Sequence, residues 1–165
     1  MRRIIFLLSV ALGFTACSSI DCPLNNTVVT SYKLMGSQPK LEDTLTIIAV
    51  RSMGTDTVLL NRAVGIDSFI LPISYAQPED VFFFKIANKD GQVFRDTLRI
   101  AKDDQPHFES IDCPPAMFHR LKSVTCTHQT LDSVVINNEN VNYDATNPHL
   151  YLCLLYTSDA ADDTL

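Results

Sequence analysis

Val81-Phe82-Phe83-Phe84-Lys85-Ile86, then Asn88-Lys89-Asp90-Gly91, then Val93-Phe94-Arg95-Asp96-Thr97-Leu98-Arg99-Ile100: this stretch decides the fold class. The first run is short, apolar and aromatic, which suits a central strand covered on both faces. Asn88 to Gly91 supplies a tight turn, with glycine free to take the positive φ a hairpin needs. Alternation is clearest in the third run, where Thr97 and Arg99 stand opposite Leu98 and Ile100. Period-two alternation puts those pairs on opposite faces of one strand. The stretch therefore predicts a β-hairpin.

Outward from it, the same signals recur. Thr27 to Leu34 is β-branched and partly alternating, and Leu45, Ile47 and Ala49 share one face of a run from Thr44 to Val50. Thr57 to Leu60, Ser68 to Ile73, His107 to Ile111, Ser123 to His128 and Ser133 to Ile136 read as further strands, and His149 to Leu152 as the start of a last one. Only Pro115 to Leu121 suggests a helical turn. Many short strands with frequent turns predict an all-β chain, an antiparallel β-sandwich of immunoglobulin-like type, with a small β-barrel as the alternative. The chain has no Trp, so the antibody core signature is missing.

The N-terminus carries a different message. Met1-Arg2-Arg3 is basic, and Ile4 to Phe14 is apolar apart from Ser9 and Gly13. That run suits a signal-peptide core and falls short of the ~20 residues a membrane-spanning helix needs. It ends in Phe14-Thr15-Ala16-Cys17, which resembles the lipobox of bacterial lipoproteins except for Phe in place of the usual Leu. The resemblance implies cleavage after residue 16 and lipid on Cys17. Ser18-Ser19-Ile20-Asp21 has no Asp directly after the cysteine and no dense acidic cluster. By the sorting rules of such lipoproteins this implies the outer membrane, its periplasmic leaflet ahead of the cell surface. Residues 17–26 are then a lipidated tether and 27–152 a single domain. Residues 153–165 resemble a translated sequencing adapter joined to a truncated gene, so the last strand is expected to be cut short and the tail non-native.

The formal net charge is −6 and no basic patch occurs, so nucleic acid is not an expected partner. Cys22 and Cys113 sit in matching settings, Ser19-Ile20-Asp21-Cys22-Pro23 and Ser110-Ile111-Asp112-Cys113-Pro114. An oxidising compartment would pair them; the alternative is two separate thiols. Cys126 reads as a packed strand residue.

Chemistry is sparsely signalled. His107 and Glu109 lie two apart and would share a strand face, with His119 and His128 nearby in sequence. Those four are the candidates for a metal site or a hydrolase, although no fixed ligand spacing supports it. Asp103-Asp104 reads as a solvated connection. No Gly-x-Ser-x-Gly or phosphate loop occurs, and no cofactor is expected. Tyr32, Tyr75 and Phe94 are aromatic side chains suited to stacking on sugar rings. Four triplets read Asp, hydroxyl residue, aliphatic: Asp43-Thr44-Leu45, Asp56-Thr57-Val58, Asp96-Thr97-Leu98 and Asp132-Ser133-Val134. They resemble the O-glycosylation acceptors of Bacteroidota envelope proteins, which would put glycans on Thr44, Thr57, Thr97 or Ser133. An Asp-Thr pair leading into a strand explains the same pattern without a glycan.

Taken with the signal, residues 19–26, Leu71-Pro72-Ile73-Ser74-Tyr75, residues 107–113, Val141-Asn142-Tyr143-Asp144 and His149-Leu150 resemble an uncharacterised family of small Bacteroidales lipoproteins. That resemblance implies lipoprotein status, paired cysteines and no transferable activity. The expected function is a non-catalytic envelope lipoprotein, held to the membrane by its lipid and working as a binding or assembly module on protein or glycan. An envelope hydrolase or metal-dependent enzyme built on the histidines is the alternative.

Overall fold

The computed structural model describes Cys22, residues 27–36 and residues 40–155. The expected leader, Cys17 and residues 156–165 lie outside the described residues. Among the described residues ten strands form: β1 (Val29–Met35), β2 (Thr44–Val50), β3 (Thr57–Ala63), β4 (Ser68–Pro72), β5 (Glu79–Ala87), β6 (Val93–His107), β7 (Ala116–Cys126), β8 (Leu131–Ile136), β9 (Asn140–Val141) and β10 (Leu150–Leu154). One sheet has the order β4-β1-β10-β8 and the other β3-β2-β5-β6-β7-β9. The chain is thus all-β, two sheets around one core, as expected. The split of four and six strands differs from the four and three of an immunoglobulin constant domain. One pairing is parallel: β1 lies beside β10, with Tyr32 opposite Leu150 and Leu34 opposite Leu152.

The hairpin expected over 81–100 is β5–β6, with Val81 opposite Arg99 and Ala87 opposite Val93. Gly91 takes φ 81° at the turn. Its strands are covered on one face only. Phe82, Phe84 and Ile86 are buried with Leu98 and Ile100, whereas Phe83 and Lys85 face outward. The unbroken apolar run misled because Phe83 is an outer-face residue beside Ile48 and Thr97, not a second core layer. From the smaller sheet, Tyr32, Leu34, Leu71, Leu150 and Leu152 meet this core. Tyr32 stacks on Phe69 at 4.9 Å, and Phe69 reaches Phe84 across the sheets at 6.1 Å.

Three further expectations change. Residues 115–121 extend into β7 rather than a helical turn, and the strand expected over 107–111 ends at His107. Asp103 and Asp104 belong to β6. β10 also takes in Cys153 and Leu154, which the sequence reading set outside the domain. Cys22 and Cys113 form a disulfide across a separation of 91 residues. A closed loop of that size stabilises by about 4–5 kcal/mol in the chain-entropy picture.

Candidate functional site

The β6–β7 pair outgrows the sandwich. Ala101 faces Ser123 but Lys102 faces Leu121, so Lys122 is an extra residue in β7. Such a β-bulge reverses which side chains face inward on the bulged strand. Leu121 and His119 point inward on the N-terminal side of Lys122, and Val124 and Cys126 on its C-terminal side. Beyond the bulge the two strands form an arm, and its inner face turns from apolar to ionisable.

Lys102 is buried there, 3% exposed. Its ammonium donates to the Asp104 carboxylate at 2.7 Å and to the Gln77 carbonyl at 2.9 Å, with Asp80 at 3.8 Å. Asp80 accepts the Ser74 amide. Burial pushes the Asp80 carboxyl up, and the Lys102 ammonium pulls against that. The same Asp104 oxygen accepts from His119 Nδ1 at 2.7 Å. Burial holds His119 below the usual imidazole range, with the Asp104 hydrogen bond opposing, so the ring is neutral and Nε2 is the bare nitrogen. A buried charge left unpaired costs several kcal/mol, so this cluster can exist only because each member is bonded. Its local effect is to tie residues 73–78, between β4 and β5, to the arm.

Between that loop and the arm lies a cleft of about 730 Å³. Val28, Pro72, Ile73, Pro106, Ala116 and Met117 supply apolar walls, and His119 sits at its base with Arg51 and Ser74 on the flank. Tyr75 and Phe108 stand at the mouth from opposite walls. Ligand sites are typically concave, apolar and fitted with a few polar groups. A second cleft, near Phe94 and Leu154, measures about 250 Å³.

The four metal or hydrolase candidates do not converge. His107 Nε2 pairs with Glu109 at 2.9 Å, and its ring stacks on Phe118 at 4.2 Å, on the arm's outer face. His119 points the other way, into the cleft. His128, in the β7–β8 loop, contacts the Leu131 carbonyl. Among the described residues no group of three or more His, Cys, Asp or Glu is placed to hold a metal ion. Cys126 has its thiol pushed up by burial and by Asp96 and Asp132, which disfavours the nucleophilic thiolate.

The triplet hydroxyls differ in access. Thr57 is exposed on edge strand β3, whereas Thr44, Thr97 and Ser133 are half-buried. One triplet has a structural explanation. Asp96 is 1% exposed and accepts from the hydroxyls of Thr127 and Thr130 and the amides of Gln129, Thr130 and Leu131. Of the aromatic residues proposed for sugar stacking, Tyr32 is core, Phe94 is half-buried and Tyr75 is open to solvent.

Sequence comparison places this geometry in a family. A family model described as a family of unknown function, DUF6452, matches residues 44–154. The chain belongs to DUF6452. No curated protein and no solved structure shows significant similarity to it. The DUF6452 match takes in β2 to β10, hence the bulged arm, the Lys102 cluster and Asp96. Sequence reasoning missed the cluster: Lys102 and Asp104 look like surface charges, and only the bulge turns His119 toward them. Their spacing two apart on β6, with only Asp103 between them, was the available signal, since residues i and i+2 of a strand share a face.

Proposed function

We propose that this protein is a non-catalytic binding module of the cell envelope, anchored by lipid on Cys17 and seating a partner in the cleft beside His119. The outer membrane, in its periplasmic leaflet, is the location the proposal assigns to it. The observation that carries the reading is the cleft itself: apolar walls, aromatic side chains at the mouth, and a buried ionic cluster that stiffens both sides. Such preorganisation favours binding, because little order remains to be imposed on the walls. The partner is a protein or glycan of the envelope. O-glycosylation at the Asp-Thr or Asp-Ser triplets belongs to the same proposal, with Thr57 the most accessible acceptor.

The test uses the full-length chain expressed in its native host. Intact mass should show lipid on the mature chain, and Cys17→Ser should move the protein from the membrane to the soluble fraction. A bare mass with unchanged membrane association would sink the anchor. Met117→Arg narrows the cleft at a half-buried wall position. It should remove a partner co-purified from detergent extracts while the melting temperature stays within a few degrees. An unchanged partner would take the cleft out of consideration.

A further inference from the structure

Soluble proteins expose single large apolar side chains all over their surfaces, and scattered ones need no explanation. Here several are scattered in that way, Ile70, Val64 and Val135 among them, but the most exposed ones are grouped. Among the described residues the four most exposed large apolar side chains are Ile111 at 92%, Met53 at 90%, Tyr75 at 74% and Phe108 at 66%. They lie in three loops: residues 51–56 after β2, residues 73–78 before β5, and residues 108–115 at the tip of the arm. The register puts all three at one end. Val50 pairs with Val81 and Glu79 with Ala101, so β2 ends, β5 begins and the β6 arm projects there together. The same end holds the Cys22–Cys113 disulfide, two residues from Ile111.

We infer that this end of the sandwich rests on a phospholipid bilayer, with Met53, Tyr75, Phe108 and Ile111 in its interfacial layer. The inference rests on the proposed anchor at Cys17. An extended chain spans at most ~3.6 Å per residue, so the stretch from Cys17 to Cys22 can hold the disulfide no more than roughly 18 Å from the lipidated residue. The disulfide then passes that restraint to the arm tip, and these four side chains are the ones brought to the membrane surface. Apolar and aromatic side chains of this kind partition into the headgroup and upper acyl region. The charged side chains of the three loops are Arg51, Asp56, Glu109 and Asp112, with no basic excess. The contact is therefore apolar and does not call on anionic lipid. It also sets the mouth of the cleft, between Tyr75 and Phe108, at the membrane surface.

The chain has no Trp, so a single introduced Trp reports without background. The full-length chain carrying Ile111→Trp, in phosphatidylcholine vesicles with brominated acyl chains, should show a blue-shifted and quenched emission. Lys89→Trp, in the turn at the opposite end, should show neither. Met53, Tyr75 and Phe108 changed together to Ser in the Ile111→Trp background should cut the quenching severalfold, with the melting temperature recorded to confirm folding. Raising salt or adding anionic lipid should change it less than twofold. An unquenched Trp at 111, or equal quenching at 89, overturns the inference. So does a blue shift of the same size without vesicles, which would mean that protein, a second copy or another part of the chain, covers the patch. Intact mass separates the two readings. Lipidated chain with an unquenched Trp at 111 loses the membrane-facing end and keeps the anchor. Chain without lipid, added to the vesicles from outside, is read by the same quenching: a signal at 111 keeps the face and loses the anchor, and none loses both.

Discussion

Asp96 is the clearest case of one side chain organising its neighbours. Burial alone would raise its carboxyl pKa, but the Thr130 and Thr127 hydroxyls and the Gln129 and Thr130 amides outweigh that and lower it. A carboxylate that accepts several donors in the folded state and none in the unfolded chain stabilises the fold while it is ionised. Its contribution is present above the unfolded carboxylate pKa and is lost as pH falls through the lowered folded value. Asp96→Ala would leave the amides of residues 129–131 without their acceptor. We expect it to cost about 3–5 kcal/mol in urea denaturation, because each buried donor left unpaired costs ~1–3 kcal/mol. His149 shows the opposite economy. It is fully buried, and its Nδ1 accepts the Ser31 amide at 3.0 Å, so the neutral ring carries its proton on Nε2. That Nε2 makes no hydrogen bond; burial holds the ring below the usual imidazole range, and the Asn140 backbone and the Asp144 carboxylate pull against it.

At the scale of elements, the bulge at Lys122 matters most. Removing Lys122 would restore unbroken alternation along β7 and turn either His119 and Leu121 or Val124 and Cys126 outward. We expect Lys122 deletion to destabilise the domain by about 3 kcal/mol or more, comparable to losing a large core side chain. Lys122→Ala, which keeps the bulge and removes only an exposed ion pair with Asp103, should stay within roughly 1 kcal/mol by thermal melts. The bulge also explains what could be read in advance. The β5–β6 hairpin was legible because alternation and an Asn-to-Gly turn are local signals. Residues 115–121 were not. Met117, Phe118 and Leu121 have the spacing of a helical face, yet Met117 and Leu121 are on the inner side of a strand. Phe118 is covered from outside by His107 and by Tyr143 at 5.0 Å. Two covered faces and one extra residue imitate a 3.6 period. The disulfide was legible from matched flanking residues, whereas the cleft, which depends on five separate segments meeting, left no local trace.

For the molecule as a whole, acid is the expected weakness. His119 and His149 are both buried, and burial lowers both below the ordinary imidazole value of 6.5. Between the folded and unfolded pKa values the unfolded chain binds more protons, so stability falls as pH drops below about 7 and levels off beneath the folded values. Thermal melts from about pH 8 to 5 should show the loss, and His149→Gln should flatten the curve; an unchanged slope would mean that His149 does not contribute. The disulfide has a mechanical meaning as well. Residues between Cys22 and Cys113 form a closed covalent loop that contains β1 to β6. A pull applied N-terminal to Cys22 passes from Cys22 directly to Cys113 and bypasses that loop. Those six strands can then yield no contour length under load, and only the chain beyond Cys113 can be drawn out. A protein tethered at one end and gripped at the other would stretch like a short leash with its longest section already tied off.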